Sequence, residues 1–149
     1  MADDEPSTES NGEEADVEAE NNKSNALNVL IIDDSSILRR LLSEIILNRY
    51  DVSIIHAENG KAGLSFIAKL NGKIDLIFCD LDMPIMDGKT FMKHMRENEK
   101  LKEIPIICLT ADTNKKTILS CIQLGAKEYI VKPYNIKDLT NKIDKFLKK

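Results

Sequence analysis

The sequence predicts an α/β domain built as a three-layer (βα)5 doubly wound parallel sheet, and three observations lead there. Five short apolar runs, NVLII, VSIIHA, DLIFC, IPIICL and EYIV, are rich in β-branched residues and recur along the chain from Asn28 onward. Each is followed by a segment whose apolar residues return every three or four positions, the period of one helical face. The runs show almost no outward polar alternation, so both faces of the sheet must be covered, and the short connections call for helical crossovers between parallel strands.

Taken in order, residues 1–26 stand apart: nine acids against one lysine, several serines, and no aromatic or leucine, which predicts a disordered acidic tail. The folded part is expected to run from 27 to 149. Removing the tail's charge of −8 from the chain's −4 leaves +4 on it, so the tail can lie weakly on the domain. Deleting residues 1–24 is expected to leave fold and activity nearly unchanged. The first strand, NVLII, ends on Asp33 and Asp34, and Ser35-Ser36 follow where a helix cap is needed. The first helix carries Ile37, Leu38, Leu41, Leu42, Ile45 and Ile46 as its apolar face. The second strand leads to a helix with Gly63, Phe66, Ile67 and Leu70 inward. DLIFC ends on Asp80, Met83-Pro84 and Met86-Asp87-Gly88 form a turn, and Asp87 caps the third helix with Phe91, Met92 and Met95 beneath. The fourth strand ends on Thr110 and its helix buries Ile118 and Ile122. The fifth ends on Lys132, before a last helix with Ile136, Leu139, Ile143 and Phe146.

Composition narrows the function classes. The 149 residues make about one domain. No apolar run approaches the roughly 18 residues of a membrane span and no amino-terminal segment reads as a secretory signal, so a cytoplasmic protein is expected. Cys79, Cys108 and Cys121 are odd in number and sit inside apolar patterns, as packed reduced thiols do. His56 and His94 are too far apart in the pattern to form a metal or catalytic pair, and both read as structural or exposed. With the last helix expected to reach the end of the sequence, no output domain is expected, nor nucleic acid as a partner.

In a doubly wound sheet the ligand crevice lies beyond the carboxyl ends of the strands. That rule brings Asp33, Asp34, Asp80, Thr110 and Lys132 to one edge. Two carboxylates 4 Å apart repel by about 4 kcal/mol at an effective dielectric near 20, so the three aspartates need a counter-charge. Lys132 and one hard divalent cation, Mg2+ or Mn2+, would bring the site near neutrality. Such a site suits a phosphoryl group. Asp80 is the expected nucleophile, with the metal and Lys132 neutralising phosphoryl oxygens, the Thr110 hydroxyl donating to another, and backbone N–H groups after Asp80 adding donors.

From about Leu27 to Lys149 the chain resembles the receiver domain of two-component response regulators, on four stretches in order: IIDDSS, FCDLDMPIMDG, LTA and GAKEYIVKPY. The resemblance implies the flavodoxin-like strand order 2-1-3-4-5. It implies that Asp80 is the phosphoacceptor, that Asp33 and Asp34 hold the metal with the main-chain carbonyl of Asp82, that Lys132 contacts the phosphoryl group before a bond to Pro133 often cis in relatives, and that Thr110 and Tyr129 form a switch pair. An acid at position 82 leaves the lifetime of the phosphoryl group open. The donor would be a histidine kinase or histidine phosphotransfer protein. The protein would not be an enzyme on an external substrate, and its output would be altered affinity for an effector at the fourth helix, fifth strand and fifth helix, where Lys115, Lys116, Lys127 and Lys137 lie.

Other classes remain to be weighed. Asp80-Leu81-Asp82 also resembles the DxD of haloacid-dehalogenase-type phosphohydrolases, but those usually carry it on the first strand and add a cap domain. A receiver-shaped module that is never phosphorylated would leave the acidic pocket unexplained. A flavin site would want a Ser/Thr/Gly-rich phosphate loop where DDSS stands. Asp33 could merely help cap the first helix, and Lys132 could be a solvated turn residue.

Overall fold

The structure, a computed structural model, describes Val17–Glu18 and residues 26–147. Five parallel strands, β1 (Leu27–Ile32), β2 (Val52–Ala57), β3 (Leu76–Asp80), β4 (Ile106–Thr110) and β5 (Glu128–Val131), lie in the order 2-1-3-4-5. Helices α1 (Ser36–Leu47), α2 (Gly60–Lys69), α3 (Gly88–Glu97), α4 (Lys115–Gln123) and α5 (Ile136–Ile143) connect or follow them. The expected three-layer fold and strand order are therefore present. Apart from Val17, Glu18 and Ala26, the acidic stretch 1–26 lies outside the described residues. Val17–Glu18 add a short antiparallel strand on the outer edge of β2, an element the composition did not announce. Among the described residues no helix is long and apolar enough to cross a membrane.

Alternation within the apolar strands divides the core in two. Val29, Ile31, Leu76, Phe78, Ile107 and Leu109 pack with Leu42, Ile46, Leu139 and Ile143 of α1 and α5. Leu30, Ile32, Ile77, Cys79 and Cys108 pack on the opposite side with Phe66, Ile67, Phe91, Met92 and Cys121. A strand buried on both faces has no solvent-facing row, which is why these runs read as continuous in the sequence. Burial pushes the thiols of Cys79 and Cys108 above their usual range, and all three cysteines are free and buried. His56 is buried in β2 and His94 is exposed on α3.

Four apolar residues assigned to inward faces are instead open: Ile37 at 78%, Leu41 at 43%, Ile122 at 43% and Ile136 at 61% exposure. The reason is geometric. A helix lying on one sheet face buries a stripe little wider than about 100°, and α1 fills it with Leu42, Ser43 and Ile46.

All five helices begin at the carboxyl edge of the sheet, each held by a short polar cap. Ser35, Asn59, Asp87, Asn114 and Asn135 accept N–H bonds from Leu38, Ala62, Thr90, Lys116 and Asp138 respectively. Asp87 is thus a cap, as its sequence position suggests, and the bonds from Thr90 hold its carboxyl below the usual range. Parallel strands followed by capped helices direct five helix amino termini, with their positive dipole ends, to the edge where the acidic residues collect.

Candidate functional site

Asp33 follows β1 and is fully buried, Asp34 beside it is exposed, and Asp80 is the buried last residue of β3. One carboxylate oxygen from each lies within 4.8 Å of the others. Pairing past the strand ends fixes this convergence: the Asp33 N–H donates to Ala57 O at 3.0 Å, Leu81 N–H to Leu109 O at 3.3 Å, and Lys132 N–H to Thr110 O at 2.8 Å. Lys132 follows β5 across a cis bond to Pro133. Its ammonium sits 2.9 Å from Asp33 Oδ2 and 3.2 Å from Asp80 Oδ1.

These distances decide between readings of Asp33 and Lys132. Asp33 Oδ1 does brace the α1 cap, accepting the Ser35 N–H at 2.9 Å, but Oδ2 faces the pocket. Lys132 is no solvated turn residue, since its side chain is 14% exposed between two carboxylates. Burial, then the charge of Asp33, push the Asp80 carboxyl up to about 6, while Lys132 and the Asp82 N–H pull it down. Burial works against the Lys132 charge, but the two aspartates outweigh it and hold the ammonium above its ordinary range. The pocket thus carries an excess of negative charge that a single lysine does not balance.

Hard oxygen donors in this number suit a small divalent cation. Bonds of about 2.1 Å place oxygen ligands up to roughly 4.2 Å apart across the ion, so three carboxylates already within 4.8 Å need little movement. Asp33 Oδ2 is buried with the Lys132 ammonium 2.9 Å away, and gives such an ion a ready ligand.

The remaining expected residues are placed as follows. Thr110 is buried at the end of β4, its hydroxyl turned into its own loop: it accepts the Asp112 N–H at 2.9 Å and donates to Asp112 O at 3.3 Å. Asp82 is exposed just beyond Asp80. Tyr129 is half-buried in β5. The Lys142 ammonium of α5 lies 4.2 Å from the centre of its ring and donates to the Tyr129 carbonyl at 2.7 Å. Lys115, Lys116, Lys127 and Lys137 are exposed, as are Leu119 and Ile122 between them on α4.

Sequence reasoning missed four contributors. Arg39 on α1 donates to Asp33 O at 2.5 Å and steadies the acidic turn from the helix side. The buried Tyr134 hydroxyl lies where burial and the charges of Asp33 and Asp80 keep it protonated. Lys142 stacks on Tyr129 from thirteen residues away. Gly88 opens α3 so close to the acceptor that a Cβ there would meet Asp80 O at 2.2 Å. Only the last left a signal, the Asp-Gly step before a helix, and it read as an ordinary turn. Gly88→Ala must displace the backbone of Asp80, so it is expected to cost about 3 kcal/mol in a urea melt. The preceding loop holds Ile85 at φ 70, a conformation uncommon for a β-branched residue, with its side chain outward.

A family model described as the response regulator receiver domain matches residues 29–144. The chain is 32% identical over 123 residues to chemotaxis protein CheY-3 of Vibrio cholerae, covering 83% of this chain and 93% of that one. The structure of chemotaxis response regulator CheY4 of Vibrio cholerae superposes with a TM-score of 0.73 at 28% identity, over 82% of this chain and 99% of the other. CheY in the CheX-CheY-BeF3-Mg2+ complex from Borrelia burgdorferi is 28% identical, with a TM-score of 0.73, over 80% of this chain and 87% of that one.

Proposed function

Since the chain belongs to the response regulator receiver domain family, we propose that it accepts a phosphoryl group on Asp80 from a histidine kinase or histidine phosphotransfer protein and passes the signal on by changing its affinity for an effector. The reading rests above all on one observation: a buried carboxylate at a strand end, 3.2 Å from a lysine ammonium and grouped with two further carboxylates. An Asp80 oxygen attacks phosphorus while the bond from phosphorus to the donor imidazole nitrogen breaks, and that nitrogen keeps the electron pair. Lys132 pairs with a phosphoryl oxygen, and the Asp82 N–H, already directed at the Asp80 carboxylate, can donate to another. Asp33, Asp34, Asp80 and the Asp82 carbonyl would hold Mg2+ or Mn2+, which supplies neutralising charge for the incoming phosphoryl oxygens.

The new anion draws the Thr110 hydroxyl away from Asp112, and the vacated space admits the Tyr129 ring. The surface of α4, β5 and α5, carrying the four lysines with Leu119 and Ile122, is what an effector reads. The CheX-bound relative from Borrelia burgdorferi supports a protein partner. We place the chain in the cytoplasm, as its sequence leads one to expect.

Membership of the receiver family and the position of Asp80 on β3 set aside the haloacid-dehalogenase-like reading. Intact-mass measurement after incubation with acetyl phosphate tests the proposal. One added phosphoryl group, dependent on magnesium and lost with a chelator, is expected. An unmodified chain under all conditions would favour a receiver-shaped module that is never phosphorylated.

A further inference from the structure

We propose that the outer edge of β2 is a strand-addition site that this chain fills itself, using residues 17 and 18 of its acidic amino-terminal segment as an edge cap. Val17–Glu18 pair antiparallel with β2, Val17 opposite Ile55 and Glu18 opposite Ile54. On its inner side β2 is bonded to β1, where Ala57 O accepts the Asp33 N–H at 3.0 Å. Backbone groups alternate sides along a strand, so Ile55 and Ala57 address β1 while Ile54 and His56 address the outer edge. Ile54 is thus the residue whose N–H and C=O the added strand satisfies, and Glu18 is its partner.

The edge needs such a cover. VSIIHA contains no acid, lysine, arginine, proline or glycine, and three of its first four residues are the β-branched Val52, Ile54 and Ile55, a pattern that recruits further strands. The cap is of the opposite character. The segment that supplies it has Glu13, Glu14, Asp16, Glu18 and Glu20 within residues 13–20 of the sequence, and like charge disfavours pairing between copies of such a segment.

Chain length permits the arrangement. Residues 19–26 link the cap to Leu27, which opens β1 opposite Val52. That link must run about 7 Å along β2 and about 10 Å across two strand spacings, well within the reach of eight residues at up to roughly 3.4 Å each. So short a tether gives an effective concentration on the order of millimolar. The cap therefore outcompetes a second copy of this chain, whose own β2 edge is the most similar strand available, under dilute conditions.

The test uses the full chain and two substitutions at the cap. Glu18→Pro deletes the N–H that faces Ile54, and Glu18→Thr keeps it while favouring an extended backbone. Amide exchange at Ile54, followed by NMR in dilute monomeric samples, is expected to be about tenfold faster in Glu18→Pro and slower in Glu18→Thr, with Ile55 unchanged. Urea midpoints and phosphorylation by acetyl phosphate should match the parent chain. Concentration-dependent self-association of Glu18→Pro, absent in the parent, would further support the edge as an addition site. Equal exchange at Ile54 in all three monomeric proteins would overturn the proposal.

Discussion

Lys132→Ala is expected to lose about 3 kcal/mol of stability at neutral pH without magnesium, and most of its capacity to accept a phosphoryl group. Its ammonium is 2.9 Å from Asp33 and 3.2 Å from Asp80, and removing one partner of a buried ion cluster leaves the others uncompensated. The pH dependence identifies the cause. Asp80 already titrates near 6 in the folded chain against about 3.8 when unfolded, so the folded state binds more protons between these values. Stability therefore falls as pH rises from about 4 to 6, and the penalty is fully developed above that range. Without Lys132 the Asp80 carboxyl rises further and the penalty deepens. Urea melts at pH 7.5 and pH 4 should show the Lys132→Ala deficit shrinking towards acid, and magnesium should recover part of it at pH 7.5. A deficit equal at both pH values would mean that packing, not charge, is lost. Asp80→Asn should move the other way, gaining on the order of 1 to 3 kcal/mol at pH 7.5 without magnesium.

Thr110→Ala should still accept phosphate yet fail to pass the signal to Tyr129. In the structure the Thr110 hydroxyl is committed to Asp112, and the Tyr129 ring is held under the Lys142 ammonium at 4.2 Å. A phosphoryl group that reclaims the hydroxyl must outweigh both arrangements, and near-complete switching needs a bias on the order of 5 kcal/mol. Alanine at 110 removes the only atom on which that bias acts. NMR of the Tyr129 ring, with and without beryllofluoride as an acyl-phosphate mimic, should show a large change in the parent and little in Thr110→Ala. An equal response in both would remove Thr110 from the pathway.

The fold and the anionic centre were legible because each depends on strand ends alone. Asp33, Asp34, Asp80, Thr110 and Lys132 each follow or close a strand of recognisable length, and parallel order carries all of them to one edge. What the sequence concealed depends on rotation and close approach. The exposure of Ile37 and Leu41 follows from how α1 turns on the sheet, and both match the apolar period of their buried neighbours. The Lys142–Tyr129 contact joins α5 to β5, while within the sequence Lys142 pairs with Asp138 four residues before it, as surface helices commonly do. Gly88 is required by 2.2 Å of space that no local pattern records. Val17–Glu18 pair through backbone atoms in a stretch whose acids spoke only of solvent.

The site of the acyl phosphate itself is the most direct test. The chain is phosphorylated by acetyl phosphate with magnesium, reduced with borohydride so that a phosphorylated aspartate becomes homoserine, digested, and mapped by mass spectrometry. Homoserine at position 80, and none in Asp80→Asn, is the predicted result. Homoserine at position 33, 34 or 82, or full labelling of Asp80→Asn, would contradict the assignment of Asp80 as the phosphoacceptor.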